Sequence, residues 1–268
     1  MPKHQAMAST KKLPFHDSGT GSTVVFLHGY CESRQIWTSF SERLDRKFRV
    51  VTLDLPGFGH YSKPVENYSL EAMADYVYEA LTDLEVVKCV LIGHSLGGYV
   101  ALAVAEKYPD LLLGLGLFHS SALADTDEKK ENRNKTVAFQ QEHGLQKFIY
   151  SFFPPLFHEE NRERLEAEIQ DLIRIGSETK PQAAIEVMKA MRDRPDRTHV
   201  LREAEYPVLF ISGKEDNAVS LEQTLQQCHL PQHSSTLFLG QTAHMGMYER
   251  PVETLVAVEK FLEVIYGL

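Results

Sequence analysis

Three short apolar runs in the first third of the chain, residues 23–27, 48–53 and 88–92, lack polar alternation and read as buried parallel strands. Helical spacing fills the gaps between them. Over 34–44, Trp37, Phe40, Ser41 and Leu44 fall on one stripe. Over 69–81, Ser69 is placed to cap a helix that runs Leu70, Met73, Ala74, Val77, Leu81 down one side. A third helix is predicted over 96–108, stopped by Pro109. Further strands are expected at 112–118, 207–212 and 235–239, and an amphipathic helix at 251–265 begins with Pro251 in its first turn. Strands alternating with helices predict an α/β fold, a mostly parallel sheet covered on both faces.

The alternation breaks between 122 and 202. That stretch is rich in charge, reads as several helices, and is interrupted at Pro154-Pro155, Gly176 and Pro181. It is taken as a helical insertion of residues 122–202 in a core made from 1–121 and 203–268.

Composition narrows the setting. The 268 residues are 43% hydrophobic and 24% charged, with a net charge of −9 and no basic stripe, which argues against nucleic acid as a partner. Cys31, Cys89 and Cys228 are odd in number and form no CxxC pair, a pattern suited to a reducing compartment. Residues 1–12 are polar and basic without an apolar core, so no signal peptide is expected, and the longest apolar run, 111–118, is too short to span a bilayer. A cytoplasmic protein without membrane contact is the expectation.

The candidate chemistry centres on Gly93-His94-Ser95-Leu96-Gly97, a G-x-S-x-G motif with a strand before it and a helix after it. A sharp strand-to-helix turn would lift the Ser95 side chain clear of the sheet, and Gly93 and Gly97 must be small because the turn folds them together. His28-Gly29 closes an earlier strand. The N–H groups of Tyr30 and Leu96 are candidate oxyanion donors, with Gly29 permitting the tight turn and His28 bracing the loop. Among twelve histidines, His244 is chosen as base because it follows the last strand at the same sheet edge as Ser95. His94 is fixed beside the nucleophile, His28 and His119 occupy earlier connections, and His229 and His233 lie at the wrong end of the last strand. Asp216, past the strand 207–212, is preferred as the carboxylate that orients His244; Glu215 and Asp125 are the alternatives. A catalytic Cys31 thiol is a minor alternative to Ser95. No histidine or cysteine spacing suggests a metal, and Asp54-Leu-Pro-Gly-Phe-Gly59 lacks the features of a phosphate loop, so no cofactor is expected.

Together these residues resemble the α/β-hydrolase superfamily, in its serine esterase and hydrolase branch with a helical cap. The matching pieces are Leu27-His28-Gly29, Asp54 to Gly59, Gly93 to Gly98, Ile211 to Asp216, and Ala243-His244 with Glu249-Arg-Pro251 behind it. They run in family order from Val24 to Pro251. Ala243 stands where relatives often carry Gly, and His60-Tyr61 precede Ser62 where relatives carry Ser sooner. The first strands are reduced to residues 13–16. Ser95 argues against the dehalogenase and epoxide hydrolase branches, which use Asp. The resemblance implies a serine nucleophile, an acyl-enzyme and a small or medium uncharged ester substrate. Carbon–carbon bond, thioester or lactone hydrolysis, perhydrolysis, or a hydrolase-like ligand-binding role are the rivals. The aromatic cluster Phe148, Tyr150, Phe152, Phe153, Phe157 either lines an acyl pocket or packs the insertion on the core.

Overall fold

The computed structural model describes residues 12–268; the reading of the N-terminal segment therefore lies, save for Lys12, outside the described residues. Seven strands form one sheet: β1 (Phe15–Ser18), β2 (Thr23–Leu27), β3 (Arg49–Leu53), β4 (Cys89–His94), β5 (Leu112–Phe118), β6 (Val208–Gly213) and β7 (Ser234–Leu239). Their spatial order is β1-β3-β2-β4-β5-β6-β7; β1 pairs antiparallel with β3 and every other pair is parallel.

The apolar runs sort by place in the sheet. Strands β2, β4 and β6 are buried at every residue, while the edge strands β1 and β7 are mostly exposed or half-buried. An inner parallel strand is covered on both faces, so it has no polar positions to offer solvent. The short edge expected at 13–16 is the antiparallel β1, two residues further on.

Among the described residues eleven α-helices accompany the sheet: α1 (Thr38–Leu44), α2 (Leu70–Asp83), α3 (Leu96–Lys107), α4 (Asp127–His143), α5 (Leu145–Phe152), α6 (Glu166–Ser177), α7 (Pro181–Arg192), α8 (Thr198–Glu203), α9 (Leu221–Gln227), α10 (Gly246–Glu249) and α11 (Pro251–Tyr266). Ser69 caps α2 by accepting from Ala72 N–H at 3.2 Å, and Pro251 opens α11. The single helix expected over 34–44 is instead a 3-10 turn, Arg34–Trp37, followed by α1. Ser33 caps the turn, and the adjacent Ile36 and Trp37 at its end are both buried. Helix α3 is buried on nearly every side, which is why its sequence is apolar all round rather than striped.

Helices α4 to α8 follow β5, and the chain returns to the sheet at β6 with no strand between. Tyr30 ties this layer to the core: its hydroxyl donates to Ala184 O at 2.8 Å and accepts from Gln140 Nε2 at 3.2 Å. Asp125 is held by Arg133 and, at 2.6 Å, by Arg194, while Arg197 reaches Glu106 and Glu71 on the core helices. No helix among the described residues is long and apolar enough to cross a membrane.

Candidate active site

Parallel register decides what meets at the sheet edge. Leu27 pairs with Gly93 and Gly93 with Leu117; Phe118 pairs with Ile211, and Gly213 with Leu239. The segments leaving these strands therefore emerge side by side: Tyr30 after β2, Ser95 after β4, His119 after β5, Asp216 after β6, His244 after β7. Ligands in open α/β sheets bind at this carboxyl edge.

Ser95 stands on the turn between β4 and α3 with φ 50° and ψ −114°. A non-glycine residue at positive φ costs roughly 1–3 kcal/mol and persists only when its surroundings enforce it. Here the Ser95 N–H donates to Phe118 O at 3.0 Å, and its carbonyl accepts from Ser120 Oγ at 2.7 Å. A β-carbon on Gly93 would fall on the backbone of Gly97 and Gly98, and one on Gly97 would meet the Leu27 and His28 carbonyls. The glycines thus let α3 start directly against the His28-Gly29 loop. The N–H groups of Tyr30 and Leu96 enter none of the turn and cap hydrogen bonds.

His244 and Ser95 line the same cavity, about 900 Å³ in volume. The His244 Nδ1 donates to Asp216 Oδ2 at 2.8 Å, and its own N–H donates to Leu156 O at 2.8 Å. Asp216 is buried and fully engaged: Oδ1 accepts from Ala218 and Val219 N–H at 2.8 and 2.9 Å, and Oδ2 accepts a second imidazole, His119 Nδ1, at 3.0 Å. Burial alone would push this carboxyl up, but the His244 imidazole and the hydrogen bonds from His119 and His244 hold it well below the usual carboxylate range.

The structure brings Ser95, His244, Tyr30 and Leu96 to one edge, and the acid hydrogen-bonded to the His244 imidazole is Asp216 rather than Glu215 or Asp125. Glu215 is exposed and accepts from Thr242 N–H at 3.1 Å, and Asp125 belongs to its two arginines. The Cys31 thiol is buried, and burial pushes it up, away from the thiolate a nucleophile needs. His28 Nδ1 donates to Gly29 O at 2.8 Å and Nε2 accepts from Leu55 N–H at 2.9 Å. The aromatic cluster divides, with Phe148 and Phe152 on the cavity wall, Phe153 and Phe157 fully buried, and Tyr150 exposed.

Three buried polar residues were missed by sequence reasoning. Glu32 accepts from Gly29 N–H at 2.6 Å and pairs with His94 Nδ1 at 3.0 Å, while His94 Nε2 donates to His244 O at 3.0 Å. Burial opposes both charges, yet the pairing with Glu32 raises the His94 imidazole and His94 lowers the Glu32 carboxyl. The Glu32–His94 pair thereby joins the Gly29 loop to β4, and the His94 Nε2 hydrogen bond joins β4 to the His244 loop. Glu249 accepts from Ala243 and Met245 N–H, either side of His244, and from His158 N–H and Asn161 Nδ2. His119, at φ 49°, shares Asp216 with His244 while its Nε2 is buried without a partner among the described residues. A buried position cannot be told from a solvated one by residue type, so none of the three carried a signal beyond its nearness to a motif.

His119, Asp216 and His244 offer ligand atoms within 4.8 Å of one another. Both imidazoles already sit at hydrogen-bonding distance from one carboxylate oxygen, an arrangement that satisfies the acid without a cation.

Comparison with known proteins agrees with this architecture. A family model described as alpha/beta hydrolase fold matches residues 22–251. A thermophilic esterase from Thermogutta terrifontis, solved with malate bound, is 30% identical and superposes with a TM-score of 0.88, covering 94% of this chain and 93% of that one. An enol-lactonase from Burkholderia xenovorans LB400 is 20% identical with a TM-score of 0.86, covering 93% of this chain and 96% of that one. An (E)-2-((N-methylformamido)methylene)succinate hydrolase of Acinetobacter baylyi is 19% identical over 259 residues, 96% of each chain. With the sheet order, the serine turn and the family match in agreement, the chain belongs to the α/β-hydrolase fold family.

Proposed function

We propose that this chain is a serine hydrolase that cleaves small or medium carboxylic esters through an acyl-enzyme on Ser95. His244 acts as general base and then general acid, and Asp216 orients it. The observation that carries this reading is the pairing of a positive-φ serine with a cavity-lining histidine whose far nitrogen is locked on a buried carboxylate. The proton on Nδ1 is committed to Asp216, so Nε2 is the nitrogen left to take the Ser95 proton. The alkoxide attacks the ester carbonyl, the tetrahedral oxyanion is received by the Tyr30 and Leu96 N–H groups, and His244 Nε2 returns the proton to the leaving alcohol. Water activated by the same imidazole releases the acid. The helices between β5 and β6 act as a cap, with Phe148, Phe152 and Leu156 supplying apolar wall.

The named relatives act as esterase, lactonase and succinate-derivative hydrolase, all hydrolytic reactions, which supports hydrolysis as the reaction class. Fluorophosphonate labelling, followed by p-nitrophenyl esters of increasing chain length and a panel of lactones and thioesters, tests the assignment. Ser95→Ala should abolish labelling and lower kcat by several powers of ten, since loss of such a nucleophile costs on the order of a millionfold. His244→Ala should hurt at least as much as Asp216→Asn. Ester turnover surviving in Ser95→Ala would defeat the mechanism; labelling with turnover only on lactones or thioesters would replace the ester assignment.

A further inference from the structure

The cavity beside Ser95 is not uniformly apolar. Tyr99, one turn along α3 from the nucleophile, lines it, and so do Lys129 and Arg133 of α4. The Tyr99 hydroxyl has no hydrogen-bond partner among the described residues and is absent from the polar atoms sealed off from solvent, so it is open to the cavity. Arg133 is held from two directions, by Asp125 at Nε and by the Met188 and Met191 sulfurs at Nη1. Its Nη2 is left unengaged and unsealed. Among the described residues Lys129 Nζ reaches two neutral oxygens, Ala218 O at 2.6 Å and Gln223 Oε1 at 3.4 Å.

Lys129 and Arg133 are the cations on this wall, and Arg133 shares one buried carboxylate, Asp125, with Arg194. Glu128, Asp196 and Glu222 also border the cavity, but all three are exposed, where water screens them. Tyr99 registers the field. Burial pushes its phenol up, yet Arg194, Lys129 and Arg133 bring it below the ordinary value, and the Arg194 guanidinium lies 4.1 Å from its ring centroid. An open hydroxyl and a free guanidinium edge, in a locally positive and partly desolvated wall, suit a carboxylate.

We propose that the substrate of the Ser95 site carries a free carboxylate, as in a monoester of a short dicarboxylic acid, held by the Tyr99 hydroxyl and Arg133 Nη2 with Lys129 adding charge. This rests on the serine hydrolase reading for its chemistry and replaces the expectation of an uncharged ester. The binding half stands independently.

Mono-p-nitrophenyl succinate, glutarate and adipate are compared with p-nitrophenyl butyrate, valerate and hexanoate at low and high salt. At least one acidic ester should exceed its neutral counterpart in kcat/KM, by on the order of tenfold or more, the scale of a charge-assisted hydrogen bond. The ratio should shrink with salt and fall at least tenfold in Arg133→Gln and severalfold in Tyr99→Phe. Tyr99→Phe removes one open hydroxyl and so avoids the folding risk of unpairing Asp125. Calorimetry with glutarate as probe should show binding to wild type that weakens in both variants. Fluorophosphonate labelling separates the two layers: no labelling at Ser95 with intact glutarate binding removes the nucleophile and keeps the subsite. Neutral esters preferred at every length, or a ratio and a glutarate affinity indifferent to both substitutions, would overturn the proposal.

Discussion

Replacing His119 by Asn tests how a second imidazole is accommodated at Asp216. The ring is wholly buried, and burial pulls it down to about 4 from an ordinary 6.5, although Asp216 pulls the other way. Asn suits the site because it tolerates the left-handed φ of 49° and offers an amide donor to Asp216. Between pH 6.5 and 4 the unfolded chain binds a proton at this position that the folded protein refuses, so stability must rise with pH across that window. A shift of this size corresponds to about 3 kcal/mol in full, of which about 2 kcal/mol is already lost at pH 5. The sign is fixed: for a base held neutral by burial, acid favours unfolding, and the loss saturates below the folded value. Urea titrations of wild type and His119→Asn at half-unit steps from pH 7.5 to 4.5 should show the variant losing less stability on acidification, by about one proton's slope. Their stability difference should therefore narrow with acid. Parallel curves would refute the assignment of a neutral buried His119.

Glu32→Gln should destabilise the fold by about 3–5 kcal/mol, the cost of breaking a buried ion pair from one side. His94 is raised, so its contribution is present below 6.5 and lost as pH rises through its folded value; Glu32 is lowered, so its contribution is present above 4.5 and lost as pH falls. Chemical denaturation should find the deficit largest at pH 5–6 and smaller at alkaline pH, and a deficit equal at every pH would count against the pair. Gly93→Ala should cost at least the roughly 1–3 kcal/mol of core overpacking, whereas Gly240→Ala, which meets nothing within 4 Å, should stay within about 0.5 kcal/mol; the comparison is read from denaturation midpoints. Tyr30→Phe strips the donor from Ala184 O and the acceptor from Gln140, an expected loss of about 1–3 kcal/mol. Hydrogen exchange should accelerate in α7 and α4 first, and uniform acceleration would show that the tether is not local.

The sheet was legible because inner strands must be apolar at every residue, and β2, β4 and β6 are. The serine turn was legible because Gly93 and Gly97 are demanded by contacts with backbone atoms, which leave no alternative residue. Asp216 could be preferred over Glu215 by the turn alone, yet what separates them physically is burial and two N–H donors from Ala218 and Val219. The 3-10 turn at 34–37 escaped because Trp37, Phe40 and Leu44 suit either winding. Glu32, His119 and Glu249 escaped for a different reason: each acts through a partner far along the chain, at separations of 62, 97 and 88 residues. Periodicity has no reach over such distances. The charged wall of α4 was visible only as a run of charge, since which of its side chains turn inward depends on the angle at which the helix lies over the sheet.

Glu249 has a consequence for anyone recombining this scaffold. Two of its four donors come from the loop that presents His244 and two from the helical layer at His158 and Asn161. A chimera exchanging residues 127–203 for the corresponding piece of a relative would put half of that carboxylate's partners at risk and leave a buried anion beside His244. The graft would then arrive with a disturbed His244 loop, unless it brought matching donors at both positions.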